Sequence, residues 1–409
     1  MAADGGGDAD VTTRTTASRQ TDIRLVTILA VLFCCGWSAN HFAAVLPVLA
    51  DAEGLSRAVL NGAFGIYAIG LLPSLLIGGN LSDRLGRRVI VLTGATAAGL
   101  GNIAMAGWHD EVGIFVGRLV VGLGVGLAVS AGTAWTADVG GKRGAVLAGA
   151  ILTSGFAIGP LASALIAQGF GTDAAAIPFA VAGALTLVSV AAGLRWASNV
   201  VADPTSPPDD GTEHPATGDR AIGDRGIGPA LSWSIPMALW VFASVTVAIV
   251  TLAERLNDRY EGPLVPGIAA VVSLGSGVVI QIIARRLDWG PRSGVVGAAL
   301  SAIGFALAAV GGAHPSLALF GVAAVTLGIA YGLCLRNGLV DVETRVSRES
   351  RGTVTGIFYV FTYVGFGLPV LLTTIEPWAG IVPPMLVLAG IAAAAATLRM
   401  VQISRRPTP

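Results

Sequence analysis

Charge is what this chain has least of. Asp, Glu, Lys and Arg make up 12% of 409 residues, against roughly 25% in soluble globular proteins. So few charges cannot cover a water-facing surface, which excludes a soluble domain and implies a second solvent. Acidic and basic residues balance at 25 each, so no global field draws nucleic acid, and none is expected as a partner. Cysteine is scarce. Cys34, Cys35 and Cys334 all fall in apolar runs without metal-ligand spacing, which makes them small buried hydrophobes. Of the 4 histidines, no pair has zinc spacing. No phosphate-cradling Gly-rich loop ending in Lys-Ser/Thr occurs, which argues against ATP drive by this chain alone. Gly36-Trp37-Ser38-Ala39-Asn40 lacks the closing glycine of a hydrolase elbow. Neither an enzyme nor a metal or other cofactor is expected.

Apolar residues are abundant, at 54%, with 56 glycines. Small residues let membrane helices approach closely where no hydrophobic force drives them together. A spanning helix needs about 20 mainly apolar residues, and twelve such runs separate between charges. Six lie between Arg24 and Asp51, Arg57 and Asp83, Arg88 and Asp110, Val112 and Ala137, Arg143 and Asp173, and Asp173 and Arg195. Six more lie between Arg225 and Glu254, Glu261 and Arg285, Arg292 and His314, Leu317 and Arg336, Arg351 and Glu376, and Pro377 and Arg399. The first run is longer than the roughly 7–15 residues of a signal peptide core, so it is expected to stay as a helix.

The predicted fold is therefore all-α integral membrane, with twelve transmembrane helices in two six-helix pseudo-symmetric bundles. Residues 1–22 are polar and expected to be disordered. The bundles take residues 23–197 and 231–400, and residues 401–409 form a tail. Between them residues 198–230, with Asp203, Pro204, Pro207, Pro208, Asp209 and Asp210, read as a linker. Arg and Lys crowd the loops on the side of the termini, while the other side holds only Arg57, Arg255 and Arg259. By the positive-inside rule both termini and the linker are cytoplasmic, in a plasma membrane protein expected to be a monomer.

Between the second and third runs the chain reads Gly79-Asn80-Leu81-Ser82-Asp83-Arg84-Leu85-Gly86-Arg87-Arg88. Gly79 and Gly86 permit a sharp turn. Asp83 suits a helix N-terminus, and Arg87, four residues on, can pair with it. A plain positive-inside anchor accounts for the same charges. This stretch resembles the Gly-x-Leu-x-Asp-Arg-x-Gly-Arg-Arg signature of the major facilitator superfamily. The fourth run carries Arg118 followed by Gly122, Gly124 and Gly126, similar to the family's Arg-bearing fourth helix. The fifth carries Gly155, Gly159 and Pro160, like the start of a pattern associated with antiporters, though Ser163 and Ala164 replace its closing glycines. A proline kink with close helix packing explains that stretch equally well.

The halves echo each other. Arg143-Gly144 recurs as Arg351-Gly352, Pro160 as Pro369, and Arg285-Arg286-Leu287-Asp288-Trp289-Gly290-Pro291-Arg292 is a degraded copy of the signature. Parallel repeats of this kind build two halves that rock about a midplane site.

The resemblance implies a secondary transporter of a small-molecule substrate in the lipid bilayer, with protons as the coupling partner and efflux by antiport favoured. Uptake by symport or uncoupled facilitation is the alternative within transport, and a membrane receptor or polytopic enzyme the alternative outside it. It further implies a conformational latch in which Asp83, Arg87 and Asp138 meet near the start of helix eleven. Ionisable residues within the runs are few: His41, Arg118 and, close to one end, Arg336, which can snorkel. No acid lies deep in any run. Asn40, His41 and Arg118 are the cavity candidates, His41 and Arg118 being expected to face one water-filled space at similar depth. His41 has two open readings, a hydrogen-bonded packing residue or a substrate and proton contact.

Overall fold

A computed structural model describes residues 7–170, 175–197, 226–257, 260, 262–346 and 348–405. Among these, twelve helices are long and apolar enough to span a membrane. They are α1 Gln20–Glu53, α2 Arg57–Leu85, α3 Arg87–Gly107, α4 Glu111–Gly141, α5 Arg143–Phe170 and α6 Ala176–Trp196, then α7 Ile227–Leu256, α8 Leu264–Arg286, α9 Arg292–Gly311, α10 Leu317–Arg345, α11 Thr353–Ala379 and α12 Val382–Ser404. No strand occurs among the described residues. Large apolar side chains such as Ile69, Val188, Val310 and Leu398 point outward and are exposed. A soluble protein would carry charge there, whereas lipid accepts them.

Turn chemistry sets the hairpins. Gly86 has φ 94° between α2 and α3, and Gly141 has φ 55° between α4 and α5. Both lie in the left-handed region that favours glycine. Gly79, read as a second turn residue, lies inside α2 instead, where its carbonyl accepts from Ser82 Oγ at 2.7 Å. Asp110 opens α4 by accepting from the Gly113 N–H at 2.8 Å. That bond, with a second from the Trp108 side chain, holds its carboxyl below the usual range.

Glycines also set the helix spacing. A side chain on Gly122 would meet the Tyr67 carbonyl of α2 at 2.2 Å, and one on Gly124 the Gly94 carbonyl of α3 at 2.4 Å. Alternate glycines on α4 therefore seat two neighbours at backbone contact. Gly155 does the same for α5 against α1, where an added Cβ would lie 2.2 Å from the Phe33 carbonyl.

Several boundaries differ from the sequence reading. The first helix begins at Gly7, so residues 7–22, expected to be disordered, are helical from there. No proline interrupts the chain before Pro47, and polar side chains tolerate a helix that projects beyond the membrane. α7 continues past Glu254, and α10 continues past Arg336 to Arg345. Both helices carry their charges inside because neighbouring helices supply partners. Residues 198–225 of the expected linker lie outside the described residues.

Candidate functional site

The two bundles meet along α2 with α11 and α5 with α8. Phe64 stacks on Phe366 at 5.3 Å, and Asn61 Nδ2 donates to Thr373 Oγ1 at 2.9 Å. A Cβ on Gly267 would sit 2.9 Å from the Ala164 Cβ. Toward the face that carries the termini, Gly356 faces the Leu76 side chain. On the opposite face, Glu254 lies near Asn61 and Arg57, and Arg255 pairs with Glu376 at 2.9 Å.

A narrow cavity lies on this seam. The first bundle gives it Ala39, Asn40, Phe64, Tyr67 and Phe156, and the second gives Phe242, Thr246, Tyr363 and Phe366 along with aliphatic residues. Its free space is about 20 Å³, room for about one water. The aromatic wall is continuous: Phe242 lies 4.7 Å from Tyr363 and 5.0 Å from Phe366, and Tyr67 lies 5.9 Å from Phe366. No acidic or basic side chain lines it.

Three helices lose regular geometry at this level. α1 turns at His41, next to Asn40. α7 widens to a π-turn over Val247–Thr251, and α11 tightens to a 3₁₀ turn over Val364–Gly367. Irregular backbone inside a membrane is tolerated where protein or a cavity covers it, and π-turns are frequent at functional sites. Here Thr246 Oγ1 satisfies the Gly365 carbonyl at 2.9 Å. Gly365 has no room for a side chain, since a Cβ would lie 2.2 Å from Ala243 N.

Of the three cavity candidates, only Asn40 reaches the wall, and its Nδ2 donates to the Phe156 carbonyl at 2.7 Å. His41 and Arg118 do not line the space, contrary to expectation. Both are fully buried within the first bundle. His41 points at α3 and α6, where Nε2 meets Asn102 Oδ1 at 2.8 Å and the ring packs edge-on to Phe179 at 5.3 Å. Arg118 donates to the carbonyls of Ala39 at 3.0 Å and Ala63 at 3.4 Å, with its guanidinium 4.5 Å from the ring centres of both Phe42 and Tyr67. Its bond to Ala39 and its contact with Phe42 bracket His41 in sequence.

Arg87 brings together Asp83 and Asp138, the two acids named for the latch. Arg87 Nη1 pairs with Asp83 at 2.5 Å, Arg87 Nε with Asp138 at 3.1 Å, and Nη1 also donates to Ser82 Oγ at 2.6 Å. Arg88 donates to the Leu194 carbonyl at 2.7 Å, and Arg84 stays exposed. Gly155 and Gly159 pack on α1, Gly159 lying against Trp37, and Pro160 abuts Gly267 of α8. These three contribute packing and are absent from the cavity wall.

Sequence reasoning missed two features. The aromatic wall was signalled only by mid-span aromatics such as Tyr359, Tyr363 and Phe366. A buried cluster in the second bundle was hidden because its charges read as loop anchors. Arg399, with 1% exposure, hydrogen-bonds Asp341 and Asn337. Arg345 reaches Asp341 at 3.5 Å, and both guanidinium groups lie over Trp233, at 3.7 and 4.7 Å. Arg336, expected to snorkel, donates to the Trp289 carbonyl at 2.9 Å.

Comparison with known proteins agrees with this architecture. The 3-(3-hydroxy-phenyl)propionate transporter of Escherichia coli (strain K12) is 30% identical over 148 residues, 36% of this chain and 37% of the relative. Multidrug resistance protein MdtL of Klebsiella pneumoniae (strain 342) is 33% identical over 81 residues, 20% of this chain and 21% of the relative. The matches thus span just over a third and about a fifth of these relatives. A solved POT family transporter in complex with 5-aminolevulinic acid superposes with a TM-score of 0.75 at 15% identity, covering 92% of this chain and 95% of that one, a likeness of fold. The family model of the Major Facilitator Superfamily matches residues 27–370, and with twelve spanning helices in hand the chain belongs to that superfamily as a multi-pass membrane protein.

Proposed function

We propose that this chain is a secondary active transporter whose substrate site is the aromatic cavity between the bundles. One observation carries the reading: side chains from both bundles enclose one space at the level where α1, α7 and α11 break. A space walled by both halves is created and closed by their relative motion, which is what alternating access needs. Aromatic faces on every side suit a flat organic solute, and Asn40 and Thr246 offer orienting polar atoms. The Asp83–Arg87–Asp138 cluster acts as a latch that holds α2, α3 and α4 in one arrangement. The excess of Arg and Lys on the terminal face puts both termini in the cytoplasm.

Export in exchange for protons is the favoured direction, on the strength of the fifth-helix pattern and the likeness to a multidrug resistance protein. Uptake is the second reading. It is favoured by the longer match to a transporter named for 3-(3-hydroxy-phenyl)propionate.

Purified protein in liposomes, loaded with a fluorescent aromatic solute, tests both parts. An imposed pH gradient of one sign should drive flux, and the sign that works gives the direction. Phe366→Ala and Phe242→Ala should each cut the rate by about tenfold or more while leaving the size-exclusion profile intact. Undiminished flux in both variants means that the substrate passes elsewhere.

A further inference from the structure

The cavity wall carries no charge, yet a full positive charge sits one side chain behind it. Arg118 is 0% exposed. It donates to two carbonyls, and two ring faces cover it. Two of its neighbours, Ala39 and Tyr67, belong to the wall itself. Its Nη2 has no hydrogen-bond partner. Arg87, Arg255, Arg345 and Arg399 each pair with a carboxylate, whereas among the described residues no carboxylate pairs with Arg118.

His41 supplies no counter-charge. Asn102 Nδ2 donates to the Ala98 carbonyl at 3.0 Å, so Asn102 Oδ1 faces His41 as an acceptor and Nε2 carries the proton. His41 Nδ1 is left buried without a partner. Carbonyl dipoles and ring faces attract a guanidinium but do not neutralise it. A buried charge without a partner is strongly disfavoured and marks a functional site by default.

Resting on the cavity reading above, we propose that Arg118 is the receptor for the carboxylate of an aromatic substrate. The ring seats among Phe242, Tyr363 and Phe366. The carboxylate reaches Nη2 past Tyr67, whose ring centre lies 4.5 Å from the guanidinium. The substrate class is the aryl carboxylates, monoanions with a flat apolar body. Organic cations are rejected, because nothing in the wall is negative and the nearest charge repels them. Neutral aromatics bind through the ring alone.

The test uses three naphthalenes of one shape on the full-length protein in detergent: 2-naphthoate, 2-naphthamide and 2-naphthylmethylamine, with affinities from ligand-dependent melting. The acid should bind at least about tenfold more tightly than the amide, and the amine more weakly than either. Arg118→Gln should bring the acid down to the amide while leaving the amide within about twofold. Equal affinity of acid and amide on the unmodified protein overturns the proposal, and that comparison needs no variant to fold. An acid preference that survives Arg118→Gln also overturns it. Phe366→Ala separates the two readings. If it weakens all three ligands while acid and amide bind alike, the cavity stands and the Arg118 receptor falls. If it changes none of them, or if none of the three binds, the cavity reading fails and takes the receptor with it.

Discussion

The two halves hold charge near the terminal face in opposite ways. In the first, Arg87 bridges Asp83 and Asp138 with side chains 27%, 57% and 50% exposed. In the second, Asp341 bridges Arg345 and Arg399 with side chains 5%, 5% and 1% exposed. Each cluster contains an acid from near the end of a matching helix, α4 in one half and α10 in the other. Water reaches the first cluster, so its pairs form and break at little cost. It is excluded from the second, where separating the charges leaves them uncompensated in a low dielectric. The comparison assigns motion to the first half's cluster and permanence to the second's.

The largest effect should come from removing the acid of the buried cluster. Asp341→Leu leaves the Arg399 guanidinium buried on Trp233 without its carboxylate. Loss of about 3–5 kcal/mol is expected, the range for a broken buried pair. It would appear as a lower melting temperature in detergent and a poor yield of folded protein. Adding Arg399→Met should restore part of the loss, because it withdraws the stranded charge. A double variant no better than the single one would mean that the cluster packs by shape alone.

Next come the glycines that seat α1 against α5. Gly155→Val forces a side chain into the Phe33 carbonyl, 2.2 Å from the new Cβ, and overpacking of this kind costs about 1–3 kcal/mol or more. Gly149, six residues earlier on the same helix, has nothing within 4 Å. There Gly149→Ala should be neutral or stabilising by up to about 1 kcal/mol. Equal melting shifts in the two variants would remove helix packing as the role of the fifth-helix motif.

A smaller effect separates the two readings of His41. Asn102→Leu deletes its hydrogen-bond partner and strands a buried imidazole, at about 1–3 kcal/mol. If His41 only packs, the melting point falls and the dependence of flux on the proton gradient stays. Lost dependence at an unchanged melting point would make His41 a proton contact.

How far these sites were legible in the sequence follows from their physics. The twelve spans read directly, because lipid demands long uncharged runs. Asp83 and Arg87 were legible through a signature with fixed spacing, and Asp138 through its resemblance to the family's acid at the end of the fourth helix. The Asp341 cluster was not, since Arg399 and Arg345 sit at the ends of apolar runs, where a sequence shows the charge and not the helix that shields it. The expectation that His41 and Arg118 share the cavity failed because hydropathy gives depth in the membrane and not the direction a side chain faces. Adjacent residues on a helix point about 100° apart, so Asn40 reaches the wall while His41 faces into the bundle.

The smallest change in stability is expected where the change in function should be large. Asp83→Asn removes one negative charge from an exposed cluster and keeps the size of the side chain. Exposed ion pairs contribute about 0.2–1 kcal/mol, so the melting temperature should barely move. Arg87 retains Asp138 at 3.1 Å and Ser82 at 2.6 Å, which keeps α3 tied to α4 and to the end of α2. The lost contact is the charged one of the two that join the last turn of α2 to the start of α3. If the halves rock about the central cavity, α2 must settle against α11 in each cycle, and that turn sets its angle. Initial flux in liposomes should therefore fall several-fold while the folded fraction and melting curve stay those of the unmodified protein. A melting shift as large as that of Asp341→Leu would erase the distinction between the two clusters, and unchanged flux would leave Asp83 as no more than a charge at a helix end.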